Sequence, residues 1–332
     1  MNEFLAGILQ GINSVIGNHG WSIVVFTFLI RLIILPFDYK SRVGMRRMNK
    51  VQPQIAALQK KYEKDKDKLN LKMSELYKKE KINPLSSCLP MLITLPILWA
   101  MFAAMRMVAN EQVVQQVMAM LQGQEPVMEG WLWIKNIWMP DSPFVSMLPN
   151  LSTLQQVTGD IWQKCVTGET LSWLIETFQL PADPFSNANL SATVATLNAA
   201  LQETSFYANS GVLPGWTFNV LITTFSIMKD WNGLFLLPLL ASGTQFLMTK
   251  LQPTQPTADP QAKQQGSMSF MNWFFPLFSL WVCASYNGAF ALYWVAANVI
   301  AVVENIGINK YLDYKEKKQE QADAALGGDT VK

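Results

Sequence analysis

Arg31 is the only charged residue in an apolar run, residues 21–37 (WSIVVFTFLIRLIILPF). A run of this length approaches what is needed to cross a hydrocarbon core about 30 Å thick. At roughly 1.5 Å per helical residue, Arg31 lies about 15 Å from Trp21 and about 10 Å from Asp38. A guanidinium cannot shed its proton there, because its pKa exceeds about 12. Burying it costs roughly 2.5–3.5 kcal/mol on insertion scales. The chemistry on offer is attraction of anionic or polar groups, so Arg31 should face a wet cavity or a partner. Snorkelling to the interface is the plainer alternative. Thr27 precedes it by one helical turn on the same face. Thr244 and Gln245 are polar within another apolar stretch, and Tyr293, Trp294 and Asn298 occupy adjacent turns of a third. Ordinary interhelical hydrogen bonding is the competing role for each of these.

The elements that must position these residues are membrane helices. Half of the chain is apolar and 15% is charged, against roughly 25% charged in soluble domains. Twelve Trp and eighteen Phe suit a chain with aromatic belts at both interfaces. Residues 89–108, 233–251, 270–285 and 288–303 are further apolar stretches, which makes five spans with the first. Residues 212–228 are also apolar, but Pro214, Gly215 and Asn219 interrupt them. That stretch is expected to form an interfacial or re-entrant helix.

Charge bias orients the spans. Residues 40–81 carry fourteen Lys/Arg against five Asp/Glu, whereas residues 107–231 carry three Lys against ten acidic residues. The positive-inside rule puts the first region in the cytoplasm and the second outside. Lys310, Lys315, Lys317 and Lys318 put the tail inside as well. Five spans with the N-terminus outside satisfy all three regions, and a sixth would break the parity. The N-terminus has no basic region ahead of an apolar core and reads as no secretory signal. Phe4, Leu5, Ile8, Leu9, Ile12, Val15 and Ile16 recur at helical spacing, which predicts an interfacial amphipathic helix. A helix packed on the bundle is the alternative.

Residues 39–84 form a unit of their own. Met48, Val51, Ile55, Leu58 and Tyr62 are spaced like a coiled-coil seam, and Leu69, Met73 and Leu76 repeat it after a charged turn. Two antiparallel helices with one narrow seam and basic outer faces are expected. Pro53 should bend the first of them, and Asn83–Pro84 should end the second. The basic residues read either as topogenic charge on a solvated face or as a surface for polyanions (lipid headgroups, ribosomal RNA or acidic parts of a client), each contributing roughly 1 kcal/mol near an anionic leaflet. No stacking pattern or RNA-binding motif supports sequence-specific nucleic-acid recognition. Cys88, Cys165 and Cys283 lack metal-ligand spacing, and His19, the single histidine, falls in an expected turn. Neither a metal site nor a His-dependent catalytic triad is expected.

Several strings together resemble the YidC-type membrane protein insertases, the bacterial branch of the Oxa/Alb superfamily. Gly17-Asn18-His19-Gly20-Trp21-Ser22-Ile23 and Thr27 through Pro36 look like the start and body of the helix carrying that family's intramembrane arginine. Asn83-Pro84-Leu85-Ser86-Ser87-Cys88-Leu89-Pro90-Met91-Leu92-Ile93-Thr94-Leu95-Pro96 is similar to its second core helix. Leu132-Trp133-Ile134 with Pro140-Asp141, and Ala291-Leu292-Tyr293-Trp294-Val295 through Asn298, resemble its outer-loop motif and last helix. Residues 142–230 fall outside the resemblance.

The resemblance implies an all-α integral membrane protein. Five transmembrane helices (19–38, 87–108, 233–251, 269–286 and 288–307) would enclose a hydrophilic groove open to the cytoplasm. A cytoplasmic helical hairpin (39–84) and an N-terminal interfacial helix (1–18) complete it, with a long outer region (109–231), a linker (252–268) and a cytoplasmic tail (308–332). The implied location is a bacterial plasma membrane. The implied function is insertion and folding of nascent membrane proteins, with ribosome and Sec translocon as further partners. Arg31 would be the cationic floor of the groove, with Thr27, Thr94, Thr244, Gln245, Tyr293, Trp294 and Asn298 lining it. Thr94 stands where the family often has Gln, which weakens its role. Pro36, Pro90, Pro96, Pro238 and Pro276 read as kinks and helix boundaries. No covalent step, nucleotide or cofactor is implied, and no Walker-type phosphate loop is present. A transporter or channel with an anion site at Arg31 is the rival reading. It calls for a second mid-span charge or an internal repeat.

Overall fold

The computed structural model describes residues 2–80, 89–220, 223–251 and 264–327. Helices α1 (Asn2–Ile16), α2 (His19–Lys61), α3 (Lys66–Lys79) and α4 (Leu89–Leu121) come first. Helices α5 (Leu151–Leu154), α6 (Gly159–Cys165), α7 (Gly168–Phe178) and α8 (Leu190–Glu203) follow. An antiparallel pair, β1 (Val212–Val220) and β2 (Thr223–Met228), leads to α9 (Leu236–Leu251), α10 (Gln264–Ser285) and α11 (Gly288–Gly327). Among the described residues, two stretches are long and apolar enough to cross a membrane, His19–Lys61 and Gly288–Ala322.

The chain forms two compact units. One comprises Met1–Phe26, Trp99–Ser242 and Phe278–Val295, and the other Thr27–Leu98, Gly243–Leu277 and Ala296–Lys332. The core of the first is aromatic and sulfur-rich: Phe26, Met101, Met105, Trp138, Met139, Trp162 and Phe185 are almost wholly buried. Trp162 and Phe185 stack with ring centres 5.1 Å apart. Residues 109–231 are therefore no simple loop but carry helices and an antiparallel strand pair, and they contribute Trp138, Met139, Trp162 and Phe185 to this core. Helix α1 buries Ala6 and Leu9 while Phe4 and Val15 stay exposed, so one of its faces is packed.

The second unit contains the expected helical hairpin. Met48, Val51 and Ile55 of α2 meet Met73 and Leu76 of α3, with Leu58, Leu69 and Tyr77 packed against them. Tyr62 is not part of this cluster. The Asp65 side chain accepts from the Lys68 amide and caps α3, replacing a partner the first helical turn lacks. The first arm is not a separate helix, because α2 runs from His19 to Lys61 through Pro36 and Pro53. Asn83–Pro84 lie outside the described residues.

Two expectations need correction. Val212–Val220 and Thr223–Met228 form the antiparallel pair rather than an interfacial or re-entrant helix. Pro214 and Gly215 oppose helix there, and aromatic or β-branched residues alternating with Thr, Ser and Asn have the two-residue period of a strand. His19 opens α2 instead of lying in a turn. Helix α11 continues into the expected tail as far as Gly327.

Candidate functional site

In the second unit, α2 presents Thr27, Arg31, Asp38 and Arg42 at intervals of four, seven and four residues, which is one helix face. Thr27 is buried. The Arg31 Nη1 lies 4.0 Å from Asp38 Oδ2 and 3.8 Å from Glu304 Oε2 of α11, and all three side chains are largely buried. These distances exceed the hydrogen-bond range. The guanidinium is thus electrostatically compensated without being directly hydrogen-bonded by either carboxylate, a spacing suited to a bridging water. Glu304 Oε2 and Arg42 Nη1 are buried with no hydrogen bond among the described residues. Burial pulls the Arg42 pKa below its ordinary value, against the opposing pull of Asp38 and Glu304.

The sequence-predicted residues divide between the units. Asn298 donates to the Thr244 hydroxyl at 3.3 Å, joining α11 to α9 within the second unit. Gln245 is half-buried, and its backbone carbonyl accepts from the Thr249 hydroxyl. Tyr293 and Trp294 belong to the first unit. Tyr293 is buried there, and the Trp294 ring sits 5.6 Å from Phe290. The Thr94 side chain lies outside the described residues. Sequence reasoning missed Asp38, Arg42 and Glu304. The spacing of 31, 38 and 42 on one helix was the available signal, and Glu304 stood as an acidic residue inside the last expected span.

Along the C-terminal parts of α2 and α11, polar pairing continues. Arg46 reaches Asp313 at 2.7 Å, Glu316 at 3.4 Å and the Asn309 carbonyl at 2.9 Å. Lys50 reaches Glu316 at 3.1 Å. The buried Asn305 accepts from the Asn309 amide at 2.8 Å.

In the first unit, the loop 128–141 satisfies the starts of three helices. Glu129 accepts from the His19 backbone amide and contacts His19 Nδ1 at 2.6 Å, at the first residue of α2. The Ile137 and Met139 carbonyls accept from the Ala289 and Gly288 amides at 2.8 and 2.9 Å, at the start of α11. Asp141, fully buried, accepts from the Leu237 amide at 2.7 Å and the Phe235 amide at 3.2 Å, at the start of α9. The same carboxylate accepts from Trp133 Nε1 at 3.1 Å. Helix starts carry unpaired N–H groups and partial positive charge, so carboxylates and carbonyls are the fitting partners. Buried Asn232 ties the loop together, donating to the Asn136, Met139 and Pro140 carbonyls and accepting from the Asn136 amide. A Cβ at Gly20 would overlap the Trp131 ring, and one at Gly233 would overlap Asp141. The strings around 17–23 and 132–141 therefore act as one clasp.

Comparison with known proteins adds the family. The profile for the 60Kd inner membrane protein family matches residues 11–226 and 171–317. A Fusobacterium nucleatum protein named membrane protein insertase YidC is 43% identical over 106 residues, 32% of this chain and 52% of the relative. One of the same name from Pseudomonas fluorescens is 25% identical over 313 residues, 94% of this chain and 36% of the relative. Another from Anaeromyxobacter dehalogenans is 33% identical over 138 residues, 42% of this chain and 23% of the relative. The matched segments thus span about half or less of those relatives' length. With both profile matches together covering most of the chain, it belongs to the 60Kd inner membrane protein family.

Proposed function

We propose that this chain is a membrane protein insertase and chaperone, receiving polar segments of nascent membrane proteins at Arg31. The observation that carries this reading is a buried guanidinium held 3.8–4.0 Å from two carboxylates, neutralised but not directly hydrogen-bonded by them. On the same helix Phe28, Leu29, Leu32, Ile33 and Phe37 are exposed, as a lipid-facing side requires. The names of the relatives support the same activity.

Five spans, N-terminus outside and C-terminus in the cytoplasm of a bacterial cell, are the topology we favour. The clasp supports its parity. In this topology the first, third and fifth spans run from outside to inside, and α2, α9 and α11 are the helices whose starts the loop 128–141 satisfies. Charge bias independently puts that loop outside.

The mechanism follows from charge and hydration. A client's short acidic or polar outer segment exchanges with Asp38, Glu304 or bridging water around Arg31. Charge attraction there is several-fold stronger than in bulk water. Thr27, Thr244, Gln245 and Asn298 offer hydroxyl and amide groups along the groove. Thr94, Tyr293 and Trp294 are assigned to it by resemblance alone. The client's apolar helix meanwhile partitions into lipid, which drives the step without a covalent intermediate. The basic α2–α3 arm is the docking side for lipid headgroups, and the ribosome and translocon are further partners on the cytoplasmic face. A stable inorganic-anion site, as a channel would need, fits less well because two carboxylates already face Arg31.

The test is reconstituted insertion. Arg31→Ala should abolish insertion of clients with acidic outer segments and spare clients without them, and Arg31→Lys should restore most of it. A photoreactive residue at position 27 or 245 should crosslink stalled nascent chains. Full insertion by the alanine variant, with no crosslinks, would overturn the proposal.

A further inference from the structure

The β1–β2 pair is a feature that the insertase reading leaves without a role. No charged residue occurs from Thr204 to Met228. The strands pair Thr217 with Ser226, Phe218 with Phe225 and Asn219 with Thr224. Alternation then separates two faces. Thr217, Asn219, Thr224 and Ser226 share one, where Thr217 and Ser226 hydroxyls meet at 3.3 Å and Thr224 donates to Asn219 at 2.6 Å. Phe218 and Phe225 share the other, and Trp216 precedes them beside an irregularity in the pairing between Val212 and Thr217. Trp216 is 59% exposed and Phe218 42%.

An isolated two-stranded pair is marginal in water, and an exposed apolar edge invites aggregation. Here the apolar face does not end at the strands. Phe144 packs against Phe218 and Phe225 at 5.9 and 5.2 Å and against Phe235 at 6.5 Å, immediately before α9. Leu234, Leu236 and Leu239 at that start are themselves exposed. The aromatic face is thus continuous with the apolar start of a membrane span. Lys229 and Asp230 close the segment with charge.

We infer that the β1–β2 pair is an interfacial anchor whose Phe218–Phe225 face, with the exposed Trp216 next to it in the chain, lies in outer-leaflet lipid beside the start of α9, with its Thr/Asn/Ser face toward water. Trp and Phe at headgroup depth and hydroxyls above them are the distribution an interface favours. With no charge on the segment, attraction to anionic lipid is not part of the binding. This inference rests on the outside placement of residues 109–231 and on the membrane-spanning reading proposed above.

Nitroxide depth measurements test it in the full chain, with Cys88 and Cys165 replaced by Ser and Cys283 by Ala. The protein is reconstituted in phosphatidylethanolamine/phosphatidylglycerol vesicles and labelled singly through Trp216→Cys, Phe218→Cys, Thr217→Cys or Trp281→Cys. The oxygen-to-nickel collision ratio at 216 and 218 should exceed that at 217 several-fold. Replacing phosphatidylglycerol by phosphatidylcholine should leave it unchanged. Trp281, exposed on α10, reports spanning independently. Water-like ratios at 216 and 218 beside a lipid-like ratio at 281 overturn the anchor alone, and a water-like ratio at 281 overturns the spanning reading as well. Spin–spin broadening at 216 would mean that a second copy, not lipid, covers the face, and would also overturn the inference.

Discussion

Asp141 offers the sharpest test of how the loop 128–141 holds the helices. Its carboxylate is fully buried and accepts three hydrogen bonds, from the Phe235 and Leu237 amides and from Trp133 Nε1. Asp141→Ala orphans the two amides at the start of α9, each at about 1–3 kcal/mol for a buried unsatisfied donor. The half-buried indole can turn toward water and adds less. The favourable interaction of a carboxylate with the helix start is lost too, typically 0.3–1 kcal/mol. The expected total is about 4 kcal/mol. Asp141→Asn behaves differently. Its carbonyl oxygen can keep the two bonds made by Oδ2, to Leu237 and Trp133, and only the bond to Phe235 is lost, so about 1–2 kcal/mol is expected. At roughly 2–4 °C per kcal/mol for a unit of this size, alanine lowers the midpoint by about 10 °C and asparagine by about 4 °C. The assay is thermal unfolding in detergent, read by a thiol-reactive fluorophore at the wholly buried Cys283, with the other cysteines replaced by serine. An alanine variant as stable as the parent, or an asparagine variant less stable than alanine, refutes the clasp.

Other predictions concern charge. Glu304→Gln removes one of the two carboxylates facing Arg31 and should speed crosslinking to acidic clients about twofold to tenfold, the effect of one charge at several ångströms in a partly wet site; an equal gain for uncharged clients would contradict this. Arg46→Ala breaks the links to Asp313, Glu316 and Asn309, and amide exchange of residues 309–327 should rise at least tenfold while that of α9 is unchanged. Its hydrogen bond to Glu111 raises the Lys164 pKa. The raised folded value means this stabilisation is complete below the unfolded lysine value of about 10.4 and is lost as pH rises through the folded one. Lys164→Met should therefore flatten the alkaline limb of the stability profile above about pH 10, and an unchanged limb would count against the pair.

Much of the helical layout was legible because it obeys simple periods. The seam Met48–Val51–Ile55 with Met73 and Leu76 is a 3-4 spacing that only one helix face can satisfy. The apolar run around Arg31 likewise leaves little choice but helix. What escaped was long-range. Glu304 reads as one more acid near a basic tail, and its meeting with Arg31 depends on how α11 lies against α2. The Asp141 clasp was visible only as a motif string, because hydrogen bonds from residue 141 to residues 235 and 237 leave no local trace. Residues 212–228 misled for a different reason. Their apolar content suggested a helix at the interface, while their Thr–Phe alternation already carried the strand period, so composition was weighed over period.

The ion pairs at Arg31 answer two demands that pull in opposite directions. A lone guanidinium in a span carries an insertion cost of roughly 2.5–3.5 kcal/mol. A single opposite charge near 4 Å contributes about 4 kcal/mol of gross attraction at an effective dielectric of 20, so Asp38 and Glu304 are enough to make Arg31 tolerable in the resting protein. A bidentate, hydrogen-bonded pair would do this better and would leave the cation unable to serve anything else. At 3.8 and 4.0 Å the charge is balanced while the guanidinium's five donors are not spent on either carboxylate. Under the proposed function, a client carboxylate would take up donors that the resident acids do not occupy, and exchange would cost little because no strong bond must first break. This also separates the two basic residues as tools. Lysine at position 31 would keep the charge but not the planar array of donors, so it should restore most, but not all, of the insertion of acidic segments that alanine abolishes.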